Sequence, residues 1–573
     1  MSEGLSRREL LAWGVGTGAA VLAHRPLRGA QTRREVRSSA ADPGLAPAFE
    51  ALDAFVPRHL EELGLPGLTH ALASREGTLR TATYGLRDVK TGEPLTPDDV
   101  FEIGSISKSF VALGALQLRE EGKLDLDRPL QEYLPWLRIE SEYAPITPHH
   151  LLTHSSGLPG AGVTFPLGEG RPLWTAHAPG EAFHYCNLGY DLLGVLIETL
   201  DGRRLREALE ARLFAPLGMN ASEPIIVNAM RHRLPTSYWP LRDDQPLGRG
   251  GPLVEAPNVT FDGGAGCIAS TPGDMALYLR MLLNHGAGPK GRVVSKESFA
   301  LFSKRWIDAP PFGEGASYGY GIAVVEIDGH TALRHTGGMV SYSSALHADL
   351  DAGLGSFASV HAGTGGYRPN AVGLYALALL RAAREGRELP ESPPVDDPWR
   401  IEKAGEYAGV FTAPDARTLA LEADEETLWL RSNGERIRLQ QDGPDRLLAP
   451  DSRFALFPIE VIRNEGAITE LAWGGDWYAG EAYAGPRRFE VPEAWRACVG
   501  AYRNDSPWYG TGRVVLRKDK LLFAGEPRVA LEDSLFRFGE DPTGIERVRF
   551  SDVVGGRAMR MFFSETEFWR VDE

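Results

Sequence analysis

A proline-rich acidic segment divides the chain into two parts with different secondary-structure patterns. Residues 389–398 have the sequence Leu-Pro-Glu-Ser-Pro-Pro-Val-Asp-Asp-Pro. Because proline fixes its own backbone angle and has no amide hydrogen to donate, this run predicts a linker rather than a helix or a central strand. Helical and strand patterns are mixed before the linker, and short strands prevail after it. The sequence therefore predicts a mixed α/β domain at residues 46–388, followed by all-β structure.

A weak internal repeat divides the all-β part again. Tyr-Ala-Gly-Val-Phe at residues 407–411 resembles Cys-Val-Gly-Ala-Tyr at residues 498–502. Such a repeat predicts two similar barrel-like modules, which we place at residues 399–490 and 491–573. We expect the tryptophans of this part to lie in the barrel cores, and an exposed surface that stacks on carbohydrate is the alternative. These tryptophans are Trp399, Trp429, Trp473, Trp477, Trp495, Trp508 and Trp569.

The N-terminal residues predict an export signal. Ser-Arg-Arg-Glu-Leu-Leu at residues 6–11 resembles a twin-arginine motif, and a short apolar stretch follows it. The stretch is shorter than the roughly 20 residues that a membrane-spanning helix needs, and small residues at 38–40 resemble a cleavage site. We therefore expect a signal segment at residues 1–40 and an exported protein, periplasmic or secreted. A disordered basic N-terminus is the alternative, and no later stretch predicts a membrane span.

Charge and cysteine content narrow the range of partners. The net charge of −16 at pH 7 argues against binding to nucleic acid or to anionic membranes, which requires a basic surface. Three widely spaced cysteines form neither a disulfide framework nor a zinc-binding pattern, and the adjacent His149 and His150 lack the H-E-x-x-H spacing. We therefore expect no metal, no cofactor and no nucleic-acid partner. The oligomeric state is not predicted.

Several local elements of the α/β domain can be read from the sequence. Apolar runs at residues 68–74 and 78–84 flank a short turn and predict a hairpin. Buried helical spacing over residues 106–118 predicts a helix. Thr271, followed by Pro272, predicts the start of another helix, and we expect the Asp274 side chain to complete a capping box there.

The first of three candidate catalytic motifs is Gly104-Ser105-Ile106-Ser107-Lys108, at the start of the first predicted helix. Residues three apart share a helix face, so we expect Lys108 to lie beside Ser105. A serine hydroxyl needs a base to take its proton, and a lysine amine that burial or a nearby cation keeps neutral suits that role. The helix N-terminus adds positive potential where an oxyanion would form. The alternative is an ordinary helix start with a solvated lysine.

The second motif, Tyr185-Cys186-Asn187, precedes an apolar stretch that starts at Leu188. A tyrosine hydroxyl can relay protons between a nucleophile and a leaving group, and the asparagine amide both donates and accepts hydrogen bonds. Alternation along the motif predicts that Cys186 points away from the cleft and serves packing. The alternative is a turn that contains a core tyrosine.

The third motif is His335-Thr336-Gly337-Gly338, which predicts a strand edge. Glycines let the backbone of such an edge approach a substrate closely. We expect the N–H groups of Gly338 and Ser105 to form an oxyanion hole together. The alternative is a glycine turn after a surface histidine.

Residues from about 46 to 380 resemble beta-lactamase-related serine hydrolases in the order of the three motifs and in the sequences around them. This family includes class C beta-lactamases, DD-peptidases, D-aminopeptidases and related esterases. Further stretches that fit its pattern lie at residues 65–68, 101–105, 122–127, 133–135, 151–159, 179–181, 270–275 and 318–321. The resemblance implies an α/β (α+β) domain of the beta-lactamase/transpeptidase type, an antiparallel sheet flanked by helices, with the two all-β modules after it.

The resemblance also implies roles for the residues of the three motifs. Ser105 would be the acylated nucleophile, Lys108 its base and Tyr185 a second proton-transfer group. His154 lies in a family motif that is structural, so we expect a hydrogen-bonded core residue there rather than a base. The residues implied to contact the substrate are Asn187, His335, Thr336 and Gly337.

The third motif has histidine where most beta-lactamases and penicillin-binding proteins have lysine. Lysine holds a fixed positive charge for a substrate carboxylate, whereas a histidine with an ordinary pKa of about 6.5 is mostly neutral at pH 7. The histidine form and C-terminal barrels both resemble the D-aminopeptidase branch. We therefore predict a serine hydrolase that acts as a peptidase or amidase on small peptides, D-residue peptides among them. A carboxylesterase and a catalytically weak penicillin-binding sensor or binding protein are the alternatives.

Overall fold

The computed structural model describes residues 34–38, 43–160, 172–363, 369–532, 534–541 and 543–571. Ten strands among these residues form one antiparallel sheet in the N-terminal domain. The strands are β1 (Arg34–Ser38), β2 (Gly67–Ser74), β3 (Thr78–Asp88), β4 (Glu93–Pro94), β5 (Ile307–Asp308), β6 (Ser317–Tyr318), β7 (Ala323–Ile327), β8 (His330–Gly338), β9 (Ser343–Asp349) and β10 (Leu354–Val360). Their order across the sheet is β1-β3-β2-β10-β9-β8-β7-β6-β5, and β4 pairs with β3.

Helices cover both faces of this sheet. The longest are α1 (Ala46–Leu63), α2 (Ser107–Glu120), α3 (Asn187–Asp201), α4 (Pro272–Leu283) and α5 (Asn370–Arg384). Shorter helices lie at Leu130–Tyr133, Pro148–Leu152, Leu205–Leu209, Ala215–Leu217, Lys296–Phe302 and Glu493–Arg496. Short strand pairs join Phe101–Glu102 to Ala269–Ser270, Ile139–Glu140 to Leu173–Trp174, Tyr238–Pro240 to Leu253–Glu255, and Ala287–Gly288 to Gly291–Arg292. In the described part of the chain, no helix is both long enough and apolar enough to cross a membrane.

The core of this domain consists of two apolar clusters on opposite faces of the sheet. Leu52 of α1 and Leu377 of α5 lie in one cluster, while Phe110 of α2, Leu193 of α3 and Leu279 of α4 lie in the other. Because helices cover both faces, every residue of β2 and of β10 is buried. The predicted antiparallel sheet flanked by helices is confirmed, and α2 and α3 bring two of the three motifs together on one side of the sheet.

The predicted local elements are confirmed, with one exception at α4. β2 and β3 form the predicted hairpin, and α2 is the predicted helix. Thr271 caps α4 by accepting a hydrogen bond from the Asp274 N–H at 3.3 Å. The predicted capping box is wrong, because the Asp274 carboxylate accepts from the Ala221 N–H at 2.9 Å and from the Ser222 hydroxyl at 2.7 Å. The Asp274 carboxylate therefore bonds to residues distant in the chain instead of to the start of its own helix.

The strand β1 lies inside the segment that the sequence assigns to an export signal. It pairs with β3 along all its residues, and Arg37 forms an ion pair with Asp98 at 2.7 Å. Cleavage after residue 40 would remove β1 from the sheet, so the position of this strand disagrees with a cleavage site there. The remainder of the predicted signal lies outside the described residues, and export stays a prediction.

The first all-β module is an antiparallel sheet of nine strands in the described part of the chain. These strands are Gly409–Thr412, Thr418–Asp424, Thr427–Ser432, Glu435–Arg438, Gln440–Gln441, Arg446–Leu448, Ile459–Asn464, Ala467–Trp473 and Asp476–Ala479. The two edge strands of this sheet, Glu435–Arg438 and Gln440–Gln441, follow each other in the chain. The sheet therefore curls back on itself and encloses a core that includes Leu430 and Leu471.

The second all-β module is a closed barrel. Its strands are Gly500–Arg503, Thr511–Arg517, Lys520–Phe523, Glu526–Glu532, Leu535–Phe538, Arg547–Val554, Arg557–Phe563 and Thr566–Val571. The first and last of these strands pair, with Tyr502 opposite Arg570, so the barrel has no open edge. The similar stretches at 407–411 and 498–502 both lead into the first strand of a module, as the repeat predicts.

The tryptophans of these modules do not all occupy core positions. Trp477 is buried, whereas the side chains of Trp508 and Trp569 are 40% and 54% exposed. The expectation of a core position is therefore wrong for Trp508 and Trp569. The other four tryptophans are half-buried.

Replacing Phe110 by alanine should destabilise the N-terminal domain. The Phe110 ring is fully buried and stacks on the Tyr278 ring with 3.8 Å between ring centres. A cavity of this kind costs about 3–5 kcal/mol of unfolding free energy. Urea unfolding of the full chain, followed by circular dichroism, measures the shift of the transition midpoint. The matched control is Tyr143→Ala, which truncates an aromatic ring that is 45% exposed; equal shifts for both variants would contradict the packing described here.

Candidate active site

Ser105 lies in a short helical turn, Gly104–Ile106, that leads directly into α2. Gly104 has a backbone φ of 53°, in the left-handed region that favours glycine. One turn later, the Lys108 Nζ atom donates a hydrogen bond to the Ser105 Oγ atom at 3.0 Å. The predicted pairing of this hydroxyl and amine on one helix face is therefore present.

The side chain of Lys108 is fully buried. Besides Ser105, its Nζ atom donates to the Asn187 Oδ1 atom at 2.8 Å and to the Ala265 carbonyl at 2.7 Å. The Nζ atom also lies 4.9 Å from the centre of the Tyr185 ring. These contacts bring the first and second motifs together around one nitrogen atom.

The second motif alternates between exposed and buried side chains. Tyr185 is half-buried and Asn187, the first residue of α3, is exposed, while Cys186 between them is buried. The Cys186 Sγ atom contacts the Pro159 carbonyl at 3.3 Å and accepts from the Gly189 N–H at 3.2 Å. The prediction that Cys186 points away from the cleft and packs in the interior is confirmed.

His154 supports the second motif from below. Its ring is fully buried, and its Nδ1 atom accepts a hydrogen bond from the Cys186 N–H at 3.0 Å. Burial, the Lys108 charge and the neighbouring histidines all hold the pKa of His154 well below its ordinary value. The ring is therefore neutral and fixes the backbone of the motif, which confirms the prediction of a hydrogen-bonded core residue.

The third motif lies at the end of β8, directly against the turn that holds Ser105. An added Cβ atom on Gly337 would lie 1.8 Å from the Ile103 carbonyl oxygen and 3.3 Å from the Ser105 nitrogen. A Cβ atom on Gly104 would lie 2.8 Å from the Gly338 nitrogen. Only glycines permit so close an approach of this strand end to the Ser105 turn. The oxyanion hole formed by the N–H groups of Ser105 and Gly338 stays a prediction.

His335 is almost fully buried and is held by two protein atoms. Its Nε2 atom lies 2.9 Å from the Tyr318 hydroxyl, and its Nδ1 atom lies 2.6 Å from the Thr336 carbonyl. Since a carbonyl only accepts, Nδ1 carries the proton and Nε2 accepts from Tyr318. Thr336 is half-buried next to it. The histidine therefore orders the strand edge, and its predicted contact with a substrate stays a prediction.

Asp191 is a half-buried carboxylate near the Lys108 amine, and the sequence motifs do not include it. It lies one turn after Asn187 on α3, and its Oδ1 atom accepts from the Ala265 N–H at 3.0 Å. Burial raises the pKa of Asp191 to about 6, against the opposing effects of the Ala265 hydrogen bond and the Lys108 charge. Helical spacing from Asn187 predicts that it lies on the same face, but no pattern in the sequence indicates its contact with Ala265.

A family model described as beta-lactamase matches residues 52–380 of the chain. This range holds the hydroxyl, the amine, the phenol and the glycine edge just described. The chain belongs to the beta-lactamase family. Its N-terminal domain therefore has the beta-lactamase/transpeptidase fold that the sequence predicted, and the chain is an enzyme, a serine hydrolase of this family.

Two curated members similar to this beta-lactamase-family chain carry different names. Penicillin-binding protein 4 of Amycolatopsis lactamdurans is 31% identical over 293 residues, which cover 47% of this chain and 74% of that protein. Esterase EstB of Burkholderia gladioli is 28% identical over 380 residues, which cover 59% of this chain and 92% of that protein. The family therefore includes relatives named for different substrates at comparable similarity.

A solved structure extends the similarity beyond the beta-lactamase domain. The octameric penicillin-binding protein homologue from Pyrococcus abyssi matches with a TM-score of 0.53 and 26% identity. The match covers 75% of this chain and 99% of that one. The likeness therefore includes part of the all-β region as well as the catalytic domain.

Replacing Gly337 by alanine should impair the beta-lactamase-type site. The new methyl group must push the end of β8 away from the Ser105 turn, and loss of one oxyanion donor costs about 100- to 1,000-fold in kcat. Rates with a p-nitrophenyl ester measure the effect, with circular dichroism as a check on folding. Gly77→Ala is the matched control because nothing lies within 4 Å of its added Cβ atom. Full activity of Gly337→Ala would show that the glycine edge is not part of the site.

Proposed function

We propose that this enzyme is an amidase or peptidase that forms an acyl-enzyme on Ser105 and acts on amino acid amides and small peptides, D-residue substrates among them. The observation that supports the proposal most is the environment of the Lys108 nitrogen. Its acceptors are the Ser105 hydroxyl, the Asn187 amide oxygen and the Ala265 carbonyl. Two of these can only accept, whereas the hydroxyl can also donate.

Because only the Ser105 hydroxyl can donate, the proton moves from Ser105 Oγ to the Lys108 nitrogen. A neutral amine has two hydrogens, and the Asn187 and Ala265 oxygens take both of them. The lone pair of the nitrogen then faces the Ser105 hydroxyl, which donates to it. The Lys108 amine therefore acts as the general base that removes the proton from Ser105 Oγ as this atom attacks.

The remaining groups complete acyl transfer. Ser105 Oγ forms a bond to the substrate carbonyl carbon, and the N–H groups of Ser105 and Gly338 stabilise the oxyanion. Collapse of this intermediate breaks the bond to the leaving amine, which takes a proton delivered from Lys108 through the Tyr185 hydroxyl. Water then attacks the acyl-enzyme, gives its proton to the same relay and releases the acid with free Ser105.

The charges around the nucleophile favour a substrate with a free amino group. His335 stands where many relatives have a lysine, so this position does not supply the fixed cation that would bind a substrate carboxylate. Two carboxylates, the half-buried Asp191 and the exposed Asp262, lie close enough together that the Asp262 charge raises the pKa of Asp191, and Asp191 also senses the Lys108 charge. Negative potential next to the acylation site attracts an ammonium group and repels a carboxylate, which supports amino acid amides over carboxylate-bearing beta-lactams.

A carboxylesterase is the second candidate. The similarity to Esterase EstB, which extends over 92% of that relative, favours it. Esters and amides share the acyl-enzyme route, and esters need less help from the leaving-group proton donor. Direct comparison of the two substrate types therefore decides between the candidates.

Ser105→Ala should abolish covalent labelling and turnover. Labelling with a fluorophosphonate probe, followed by mass spectrometry of the labelled peptide, identifies the nucleophile. Hydrolysis of p-nitrophenyl acetate should fall by at least about 1,000-fold, because the acyl-enzyme cannot form. Ser109→Ala is the control, since this nearby hydroxyl is buried and bonds the Ile106 carbonyl at 2.7 Å. Labelling of Ser105→Ala at the wild-type level would refute the assignment, and stable labelling of wild type without turnover would favour a sensor.

A free amino group on the substrate should raise kcat/KM, and the advantage should shrink in acid. D- and L-phenylalanine amide are compared with their N-acetyl forms, so that ionisations of the nucleophile and base cancel in the ratio. The rates of the free amides are expressed per concentration of the ammonium form, because an α-amino group itself titrates at about pH 7.7–8. Burial raises the pKa of Asp191 to about 6, so its negative charge is present above this pH and is lost as the pH falls through it. We expect a preference of at least about tenfold at pH 7.5, which is about 1.4 kcal/mol, and a smaller one at pH 5. Equal rates for free and acetylated amides, with rapid ester hydrolysis, would favour the esterase.

A further inference from the structure

Three consecutive residues of the C-terminal barrel contact the catalytic domain beside the second motif. The Trp174 indole N–H donates to the Ile545 carbonyl at 3.1 Å, and the Arg547 guanidinium lies 4.7 Å from the centre of the Trp174 ring. Trp174 is buried by these contacts. Between them, the side chain of Glu546 points toward the segments that flank Tyr185.

The Glu546 carboxylate has hydrogen-bond partners on both of its oxygen atoms. Its Oε1 atom accepts from the Gly160 N–H at 2.6 Å and lies 3.2 Å from the His184 Nε2 atom. Its Oε2 atom accepts from the Ser564 hydroxyl of the barrel itself. Burial alone would raise the pKa of Glu546, but the hydrogen bonds from His184, Ser564 and Gly160 lower it below its ordinary value. The carboxylate is therefore ionised at neutral pH, and it is only 15% exposed.

Both catalytic-domain partners of Glu546 hold the second motif. The Gly160 carbonyl accepts from the Asn187 N–H at 3.3 Å, and an added Cβ atom on Gly160 would lie 2.7 Å from the Tyr185 carbonyl oxygen. His184 directly precedes Tyr185, and its N–H donates to the His154 carbonyl at 2.7 Å. The Glu546 carboxylate thus bonds both to Gly160, which holds the Asn187 backbone, and to His184, which precedes Tyr185.

We propose that Glu546 is a positioning residue for Tyr185 and Asn187, so that the C-terminal barrel is part of the catalytic centre. The inference rests on the proposed roles of these two residues in acyl transfer. Asn187 Oδ1 holds the Lys108 amine at 2.8 Å, and a shift of its backbone moves the acceptor that orients the base. Loss of Glu546 therefore changes the chemical step rather than the binding of substrate.

The alternative is a contact that only attaches the barrel to the domain. The structure offers a matched variant that separates the two, because the Trp174 indole bonds the same barrel loop but does not contact Gly160 or His184 through that bond. Trp174→Phe weakens the attachment and leaves the carboxylate in place. Glu540→Ala removes a barrel carboxylate that is 61% exposed and pairs with Lys520.

The test compares Glu546→Ala, Glu546→Gln, Trp174→Phe and Glu540→Ala in the full chain, with p-nitrophenyl acetate as substrate. We expect Glu546→Ala to lower kcat by at least about tenfold with KM changed by less than threefold, as expected for an interaction that acts in the chemical step. Glu546→Gln should recover most of the kcat, because the amide oxygen still accepts from the Gly160 N–H. Trp174→Phe and Glu540→Ala should keep the wild-type kcat, whatever their melting temperatures.

Two results would overturn the proposal. One is a Glu546→Ala kcat within twofold of wild type, and the other is an equal loss of kcat in Trp174→Phe. If Glu546→Ala does not fold, Glu546→Asp serves in its place. Its shorter side chain keeps the charge but draws the carboxylate away from Gly160, so the same tenfold loss of kcat is expected. Ser105→Ala in the same assay separates this inference from the proposed function. An active Ser105→Ala variant would refute the assignment of Ser105 as the nucleophile. An inactive Ser105→Ala variant together with fully active Glu546 variants would refute only the role of the barrel.

Discussion

The hydrogen bonds of one buried amine determine how the active centre is built. A polar nitrogen removed from water costs free energy unless its hydrogens find acceptors. The Lys108 nitrogen has three hydrogen-bond partners, on the Ser105 turn, at the start of α3 and in the loop that contains Ala265. These segments are far apart in the chain, so the requirements of one nitrogen atom fix three elements relative to one another. The glycine edge of β8 then closes on the Ser105 turn as a fourth.

Two histidines of the site are held in fixed positions by hydrogen bonds to the protein. His154 lies below the motif with its pKa held well below the ordinary value by burial, and His335 is tied to Tyr318 and Thr336. Protonation of His154 would place a cation near Lys108 in a region of low dielectric. The carboxylate of Asp191 is a negative group near the amine, and it accepts a hydrogen bond from the backbone N–H of Ala265. Near the nucleophile, His154 is therefore uncharged, and Asp191 carries negative charge above its pKa.

Local spacing in the sequence was enough to predict the parts of the site, but not their tertiary supports. The pairing of Ser105 with Lys108 and the inward direction of Cys186 follow from helical and extended periodicity, and both are present. The error at Asp274 arose because Ser222, a partner distant in the chain, competes with the helix start for its carboxylate. Asp191 and Glu546 were missed for the same reason, since their roles come only from contacts made after folding. The module boundaries and the export signal remain predictions.

The pairing of β2 with β10 has a consequence for how the protein is made. Thr69 lies opposite Ser359 in the middle of the sheet, so the strand synthesised near the start of the domain pairs with one synthesised near its end. Until the ribosome has passed that point, the β2–β3 hairpin has a bare apolar edge, and such edges recruit other chains. Closure over so long a loop is also slow, because its entropy must be overcome before the pairing is formed. A nascent chain of this design therefore carries an unpaired strand edge until its β10 residues have been made.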